Sequence, residues 1–283
     1  MKLNHWLKTG VFSIGLLASS LAMAHAKHQE DISLQMYTLR DVGTLEEQFS
    51  MAQRSGFHAV ELVGTQGVDS YEMNRLLTEH QLNAMAAHVQ LADLRNDLAT
   101  VISFNQAIDN NVVIMPWLAA EDRPSTAEGW KALGKELDAI GKTLRQNGMQ
   151  LAYHNHDFEM KKYDGKLALE WILEGSHADN LKLELDAAWV SRGGQDPAKL
   201  IKKWRKRIFS LHVKDNSGIG THDNERNFTV VGDGIMSWQD EVLPAAQKAN
   251  IQWYVVEHDQ PADAESIITE ANQYLIEHLD QPH

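Results

Sequence analysis

Four apolar runs in the second half of the chain each end on a side chain that can bind a metal ion. The first run leads into His154 and His156, and the others end on Asp186, His212 and Glu257. Residues two apart on a strand face the same side, so His154 and His156 share one face. Histidine and carboxylate ligands in a chain with 0 cysteines suit Mn, Co, Zn, Mg or Fe(II). The pattern therefore predicts one divalent-metal site, built from the ends of several parallel strands.

The elements that must position these side chains alternate between strand-like and helix-like patterns. We predict strands at Ile32–Tyr37, His58–Val63, Ala84–Val89, Val112–Pro116, Gln150–Asn155, Leu181–Asp186, Ile208–Lys214 and Gln252–Glu257. Amphipathic stretches lie between them, at Leu45–Ser55, Ser70–His80, Leu91–Asn110, Thr126–Asn147, Pro197–Trp204, Trp238–Ala249 and Ala262–Leu279. This alternation over roughly 255 residues predicts an α/β fold, a single (β/α)8 TIM barrel.

A doubly wound open sheet is the alternative fold for such an alternation. That fold usually carries a glycine-rich phosphate loop after its first strand, whereas Tyr37–Asp41 contains no glycine. The barrel is therefore the better prediction. The longest connection, Asp215–Ser237, contains four glycines and is predicted to be a functional lid.

The amino terminus has the layout of a secretory signal. Met1–Lys8 carries two lysines and no acidic residue, and an apolar run follows it. Small residues then allow cleavage after Ala24 or Ala26. We predict a signal peptide at residues 1–26, a barrel over residues 27–283, and export to the periplasm or the medium. The absence of cysteine means that the exported protein needs no disulfides.

The charge of the chain limits its partners. Removing the signal peptide takes away Lys2 and Lys8, which moves the formal net charge from −13 to about −15. Nucleic-acid binding needs clustered Lys and Arg for phosphate contacts, so this composition argues against it. No second apolar run is long enough to span a bilayer, so no membrane association is expected after cleavage. The expected partner is a small molecule, and the sequence is compatible with a homo-oligomer.

Seven segments together resemble the xylose isomerase-like TIM barrels, specifically the sugar phosphate isomerase/epimerase group. These segments are Leu34–Asp41, Gly56–Leu62, Tyr153–Glu159, Leu185–Trp189, Leu211–Asp215, Gly232–Gly234 and Trp253–Glu257. The resemblance covers nearly all of the chain after the signal peptide. It implies one divalent metal held by a strand-five residue together with Asp186, His212 and Glu257.

The fifth strand departs from the family pattern. Many epimerases of this group place a glutamate there, and that glutamate and the one on strand eight flank the substrate as paired acid/base groups. Here alignment from the start of the strand selects His154, whereas alignment back from Glu159 selects His156. One histidine is expected to bind the metal and the other to contact the substrate. A histidine-rich fifth strand is more similar to the inosose dehydratases of the family.

Three residues are expected to transfer protons, namely Glu257, Glu61 and Lys214. Glu61 closes the second strand, and its alternative role is a structural hydrogen bond at the barrel mouth. Lys214 shares a strand face with His212. A lysine near a metal can have a lowered pKa and act as an acid or base. Its alternative role is to pair with a carboxylate.

Polar residues at the ends of the earlier strands are candidates for a sugar pocket. The expected substrate-binding residues are His88, Gln35, Tyr37 and His156. Trp117 and Trp189 are further candidates for this pocket, but the core is the favoured interpretation, because aromatic side chains more often pack than stack on a ligand. Arg226 is expected to be a solvated loop residue.

The resemblance and the strand-end residues together predict a metal-dependent sugar isomerase/epimerase that removes a proton next to a sugar carbonyl through a metal-stabilised enediolate. The alternative is a lyase or hydratase that eliminates a substituent from a 3-keto-glycoside or an inosose-type sugar. Since sugar phosphates are scarce outside the cytoplasm and no phosphate cradle is evident, an uncharged ligand is expected. A non-catalytic secreted sugar-binding barrel would lack a strand-end ligand, but none is missing here. An apurinic-site endonuclease would need a basic face, whereas this chain is acidic.

Overall fold

The computed structural model describes residues 30–279, so the predicted signal peptide at residues 1–26 lies outside the described residues. Eight parallel strands close a barrel, which confirms the predicted (β/α)8 fold. In chain order, strands β1 to β8 are Ile32–Gln35, Ala59–Val63, Asn83–His88, Val112–Met115, Gln150–His154, Leu181–Asp186, Ile208–Val213 and Trp253–Val256.

Each barrel strand pairs with its neighbours in the chain, and β1 closes the barrel against β8 with Ile32 opposite Tyr254. The predicted strands overlap all eight observed ones. Several predicted ends extend one or two residues too far at the carboxyl end, because those residues continue into the loops that carry the polar side chains. At β1, for example, the chain turns into a 3-10 helix at Met36–Leu39.

Helices surround the barrel on the outside. Helices α1 to α10 are Leu45–Arg54, Ser70–Glu79, Leu91–Asn96, Leu98–Ala107, Ala127–Gln146, Ala168–Glu174, Ala187–Arg192, Pro197–Trp204, Leu243–Lys248 and Ala264–Leu279. Thr44 and Glu47 form a capping box that starts α1, and Asp196 caps α8 just before its first-turn proline. The single helix predicted over Leu91–Asn110 is two helices that meet at Asp97.

The barrel interior is apolar at the amino ends of the strands and polar toward their carboxyl ends. The apolar floor consists of Ala59, Met85, Ala86, Val112, Ile114, Ala152 and Val255, with Phe209 and Trp253 against it. Small side chains at several of these positions leave room for the larger apolar ones. The carboxyl ends of the strands therefore carry the polar groups, which is where TIM-barrel enzymes have their sites. Among residues 30–279, no helix is long and apolar enough to cross a membrane.

Candidate active site

The carboxyl ends of β5 to β8 bring His154, Asp186, His212 and Glu257 together. Nε2 of His154 lies 3.9 Å from Oδ2 of Asp186. Nδ1 of His212 lies 3.7 Å from the same Asp186 oxygen and 3.1 Å from Oε2 of Glu257. Because these strands are adjacent in the barrel and each residue ends or directly follows its strand, the side chains converge without any contribution from a long loop.

Asp186, His212 and Glu257 each place a donor atom within 4.8 Å of the others, and His154 approaches this set through Asp186, so the four side chains fit a divalent metal ion. Two nitrogens and two carboxylate oxygens form the mixed donor set that Zn, Mn, Co and Fe(II) accept. Oδ2 of Asp186 is buried and has no hydrogen-bond partner, although Nζ of Lys214 lies 2.8 Å away. The contact is an ion pair. The oxygen is at 0% exposure and receives no hydrogen bond, so it has a lone pair available for a metal ion beside the ammonium.

Lys214 is surrounded by carboxylates. Its ammonium lies 2.8 Å from Asp186 and 2.8 Å from Asp259, and it donates a hydrogen bond to Glu257. Burial alone would lower the pKa of Lys214, but the three carboxylates outweigh it and raise the pKa above its usual value. The expectation of a lowered pKa is therefore wrong. Lys214 is an ammonium that neutralises part of the acidic cluster.

The pKa values of the two carboxyl groups that follow β8 are shifted in opposite directions. Burial would raise the pKa of Glu257, but Lys214 and His212 hold it well below the usual range, so this carboxylate is ionised. Burial and the nearby Glu257 charge raise the pKa of Asp259 despite its contact with Lys214. Neighbouring carboxyl groups whose pKa values are pushed apart can serve as base and acid.

Below the metal-binding residues lies a second polar layer, buried inside the barrel. Glu61 has 0% exposure, accepts a hydrogen bond of 2.7 Å from Gln35, and lies 2.8 Å from Nε2 of His212. His88 lies 2.9 Å from Glu184. Burial would lower the pKa of His88, but Glu61 and Glu184 raise it to about 9. Glu61 and Gln35 belong to this network and are not part of the cavity wall.

The two histidines of the fifth strand occupy different environments. His154 faces Asp186, whereas His156 follows the strand end and lies among aromatic rings. The centroid of His156 is 4.6 Å from that of Trp117 and 5.2 Å from that of Trp189. Burial and the nearby positive charges lower the pKa of His156 well below its usual value, so its ring is neutral. This placement favours His154 as the metal ligand and His156 as a wall of the cavity.

A cavity of about 480 Å³ opens above the cluster. Its lining residues are Tyr37, Val63, His88, Gln90, Pro116, Trp117, His154, His156, Trp189, Arg226, Glu257 and Asp259. Trp117 and Trp189, interpreted from the sequence as core residues, both face this space. Trp117 is 43% exposed, which leaves its ring available to a ligand.

Three residues that sequence reasoning did not select belong to the site. Glu184 lies two positions before Asp186 on β6, and that spacing on one strand face was the available signal. Asp259 follows Glu257 by the same interval. Arg226, expected to be solvated, has its guanidinium 5.6 Å from the Trp189 ring and 3.7 Å from Asp259. The long connection was predicted to be a lid, but no sequence pattern indicated that Arg226 is the residue of it that lines the cavity.

Comparison with known proteins agrees with this architecture. The family model described as xylose isomerase-like TIM barrel matches residues 49–278. Inosose dehydratase 1 of Bacillus cereus is 28% identical over 148 residues, which are 48% of this chain and 49% of that protein. The inosose dehydratase of Lacticaseibacillus casei is 25% identical over 159 residues, 51% of this chain and 52% of that protein. The chain thus matches about half the length of these curated relatives.

Solved structures share the fold over most of both chains. A sugar phosphate isomerase/epimerase from Parabacteroides distasonis has a TM-score of 0.74 and 18% identity, and the match covers 87% of this chain and 94% of that one. The IOLI protein with a bound zinc atom has a TM-score of 0.69 and 16% identity, over 88% of this chain and 98% of that one. At these identities the likeness establishes the fold.

Proposed function

We propose that this chain, which belongs to the xylose isomerase-like TIM barrel family, is a divalent-metal-dependent enzyme that removes a proton from the carbon next to a sugar carbonyl. One observation carries the proposal. A metal-binding donor set, an ionised carboxylate and an ammonium converge at the carboxyl rim of the barrel, below a cavity with aromatic walls. Metal-binding relatives such as the zinc-containing IOLI protein support it.

His154, Asp186, His212 and Glu257 would hold the metal. When bound, a divalent cation supplies Lewis-acid stabilisation of the negative charge that develops on a sugar oxygen. The metal's identity stays open among Mn, Co, Zn, Mg and Fe(II), because this mixed donor set suits several of them.

Glu257 is the side chain placed to accept the proton from carbon, since it lines the cavity and is ionised. Lys214 and Asp259 are placed to donate a proton. Asp259 also lines the cavity, and it lies 2.8 Å from the Lys214 ammonium. A proton held by this pair would protonate an oxygen that leaves the substrate.

This arrangement favours β-elimination over epimerisation. Epimerisation by two bases needs a proton acceptor on each face of the sugar. The second candidate base, Glu61, is at 0% exposure and bonded to Gln35 below the cavity. Elimination needs one base and one acid, which the Glu257 and Asp259 positions provide. The partial sequence match to inosose dehydratases supports the same reaction class.

An uncharged 3-keto-glycoside is the proposed substrate, and export to the periplasm or medium is part of the same proposal. Glu257 would take the proton at C2, the electron pair would form the C1–C2 double bond, and the C1–O bond would break. The leaving alcohol would take a proton from the Lys214–Asp259 pair. The products are an unsaturated keto sugar and the free alcohol. The cavity volume of about 480 Å³ accommodates a sugar with an attached group.

Isomerase/epimerase activity is the second candidate. It is supported by the sugar phosphate isomerase/epimerase from Parabacteroides distasonis among the structural neighbours. In that case the proton taken by Glu257 would return to carbon, and no group would leave.

Metal content and turnover test both candidates. The wild type, Asp186→Ala and His212→Ala are compared by elemental analysis and then incubated with 3-keto-glucosides and free ketoses in D2O. His177→Gln is the control, because the His177 side chain is exposed and, among its described contacts, pairs only with Asp138. We expect about one metal per wild-type chain, loss in both site variants, and release of alcohol from the 3-keto-glucosides.

Deuterium entering a ketose without release of an alcohol would instead favour the isomerase/epimerase. A wild type that binds no metal, with site variants indistinguishable from it, would overturn both functions.

A further inference from the structure

Glu184 is a buried carboxylate that the proposed chemistry does not use. It lies on β6 at 0% exposure, two residues below Asp186. Its Oε1 atom is 2.9 Å from Nε2 of His88, 3.0 Å from Nδ1 of His154 and 3.0 Å from Nε2 of His212. Its Oε2 atom accepts a hydrogen bond of 2.7 Å from the Ser210 hydroxyl.

Each of the two imidazoles in the metal-binding cluster has one nitrogen facing the carboxylates at the rim of the barrel and the other facing the carboxylates inside it. His154 turns Nε2 toward Asp186 and Nδ1 toward Glu184. His212 turns Nδ1 toward Asp186 and Glu257, and its Nε2 lies 2.8 Å from Glu61 and 3.0 Å from Glu184. Since β6 lies between β5 and β7 in the barrel, a single carboxylate on β6 can reach both rings.

We infer that Glu184 is a positioning residue that accepts the Nδ1–H of His154 and, together with Glu61, faces the Nε2–H of His212, which fixes both tautomers and aims Nε2 of His154 and Nδ1 of His212 at the metal. The inference rests on the proposed metal site. A neutral imidazole binds a metal through one nitrogen and donates from the other, and a carboxylate at that second position fixes the ring and raises its basicity. One carboxylate thus couples the ligands of two strands.

A second place for a metal lies around Glu184 itself, because His88, His154, Glu184 and His212 form a cluster of metal-binding atoms. Occupation of both places at once would require both nitrogens of His154 and of His212 to be deprotonated. Neutral imidazole has only one acceptor nitrogen. One metal between the rim carboxylates, with an N–H of His154 facing Glu184 and an N–H of His212 facing Glu61 and Glu184, satisfies every nitrogen of both rings.

The test uses Co²⁺ as the probe, with the full-length wild type, Glu184→Gln and Ser210→Ala. Glu184→Gln keeps the side-chain size and removes the charge that accepts the imidazole N–H groups. Ser210→Ala removes a hydrogen bond to the other oxygen of Glu184 and leaves the imidazole contacts intact, so it is the matched control. The readouts are the Co²⁺ stoichiometry, the dissociation constant and visible spectrum of the Co²⁺ protein, and histidine side-chain ¹⁵N spectra of the Zn²⁺ protein.

We expect one Co²⁺ per wild-type chain, with His154 protonated at Nδ1 and His212 protonated at Nε2. Glu184→Gln should raise the dissociation constant about 10- to 100-fold and change both the visible spectrum and the ¹⁵N pattern. Ser210→Ala should change the constant less than about threefold. If Glu184→Gln does not fold, Glu184→Asp replaces it. This substitution keeps the charge but withdraws it by one methylene, so we expect the same changes in the dissociation constant and the spectra, but smaller ones.

Co²⁺ binding by the folded Glu184 variant with wild-type affinity and spectrum would overturn the inference alone. Two Co²⁺ per wild-type chain, reduced by the substitution, would overturn it in favour of Glu184 as a direct ligand. Absence of Co²⁺ binding by the wild type would overturn both the inference and the proposed function. Glu184-dependent binding in a protein that converts neither 3-keto-glucosides nor ketoses would support the inference and overturn the proposed function.

Discussion

At the scale of single residues, Lys214 shows most directly how the site balances its charges. A buried ammonium beside Asp186, Glu257 and Asp259 compensates carboxylates that would otherwise repel one another. Removing one partner of a buried ion cluster is far more costly than its net contribution, because the remaining charges stay desolvated. The stability of the metal-free protein should therefore depend on this one side chain.

We predict that Lys214→Met lowers the free energy of unfolding by about 3 to 5 kcal/mol in the presence of EDTA. Mn²⁺ should then stabilise the variant more than it stabilises the wild type, because the carboxylates lack their ammonium. Urea denaturation with EDTA and with Mn²⁺ measures both effects. Lys203→Met is the control, since Lys203 is half exposed in its pair with Glu170 and should change stability by about 1 kcal/mol or less. Equal stability of Lys214→Met and the wild type in EDTA would contradict this account.

Glu159 gives a residue-scale prediction about pH. It accepts hydrogen bonds of 2.6 Å from the Tyr153 hydroxyl and 2.8 Å from the backbone N–H of His156, and so anchors the chain where β5 ends. Burial raises the pKa of Glu159 to about 7, despite these hydrogen bonds, from a usual value of 4.5. The folded protein therefore binds this proton more tightly than the unfolded chain does.

A raised carboxyl pKa stabilises the fold below the unfolded value, and that stability is lost as the pH rises through the folded value. We predict that the stability of the wild type relative to Glu159→Gln falls by about 3 kcal/mol between pH 4.5 and pH 7. Urea denaturation of both proteins across this range measures the difference, in which other titrations cancel. A difference that is constant with pH would show that the pKa of Glu159 is the same in the folded and unfolded protein, which would contradict this prediction.

At the scale of elements, the connection after β7 completes the cavity wall. Residues 215–237 were predicted to be a lid, and in the structure this segment contains a two-stranded ladder of Asp215–Asn216 with Phe228–Thr229. The Asp215 carboxylate accepts backbone N–H groups of the same segment, including those of Gly232 and Gly234 at 3.2 and 3.3 Å. These bonds hold together the two ends of the segment that carries Arg226.

Gly234→Ala should disturb this connection. An added Cβ would lie 2.3 Å from the backbone oxygen of Asn216 and 2.3 Å from Oδ1 of Asp215, so the backbone must shift. We predict a loss of about 1 to 3 kcal/mol in stability and a raised KM, because Arg226 moves with the segment. Thermal unfolding and steady-state kinetics measure the two effects. Gly218→Ala is the control in the same segment, since its added Cβ would meet only Thr221 at ordinary contact distance; an equal effect of both substitutions would contradict the explanation.

At the scale of the whole molecule, the metal-binding residues join half of the barrel wall. One ligand comes from each of β5, β6, β7 and β8, so a bound metal would connect strands that are consecutive in the chain and adjacent in space. A ligand that binds only the folded state raises the free energy of unfolding, and the increase grows with the logarithm of the ligand concentration divided by the dissociation constant. Global stability therefore reports on the site.

We predict that Mn²⁺ at about 100 times its dissociation constant raises the free energy of unfolding of the wild type by about 2.7 kcal/mol, and that EDTA reverses the effect. Asp186→Asn should lose this response, whereas His177→Gln, altered at an exposed histidine, should keep it. Thermal unfolding with and without Mn²⁺ gives the measurement. A response of the Asp186 variant equal to that of the wild type would place the binding elsewhere.

The sequence by itself determined the fold and most of the polar rim. The alternation of apolar strands with amphipathic helices predicted one closed barrel, and strand-end positions selected Asp186, His212, Glu257 and one of His154 and His156 as candidate ligands. Such patterns are local, because the period of each element and the residue at its end can be read from neighbouring positions. Short helices such as α6 and α7 escaped this reading, since six or seven residues give too little periodicity to recognise.

Only the tertiary structure decided what each polar side chain contacts. The pKa of Lys214 is raised because Asp186, Glu257 and Asp259 surround it, and no spacing in the chain encodes that enclosure. Glu184 lies 3.0 Å from imidazole nitrogens of both neighbouring strands, and Glu61 accepts a hydrogen bond from Gln35 inside the barrel. Charge interactions depend on distance and burial in three dimensions, whereas a sequence pattern records only which face of an element a residue occupies.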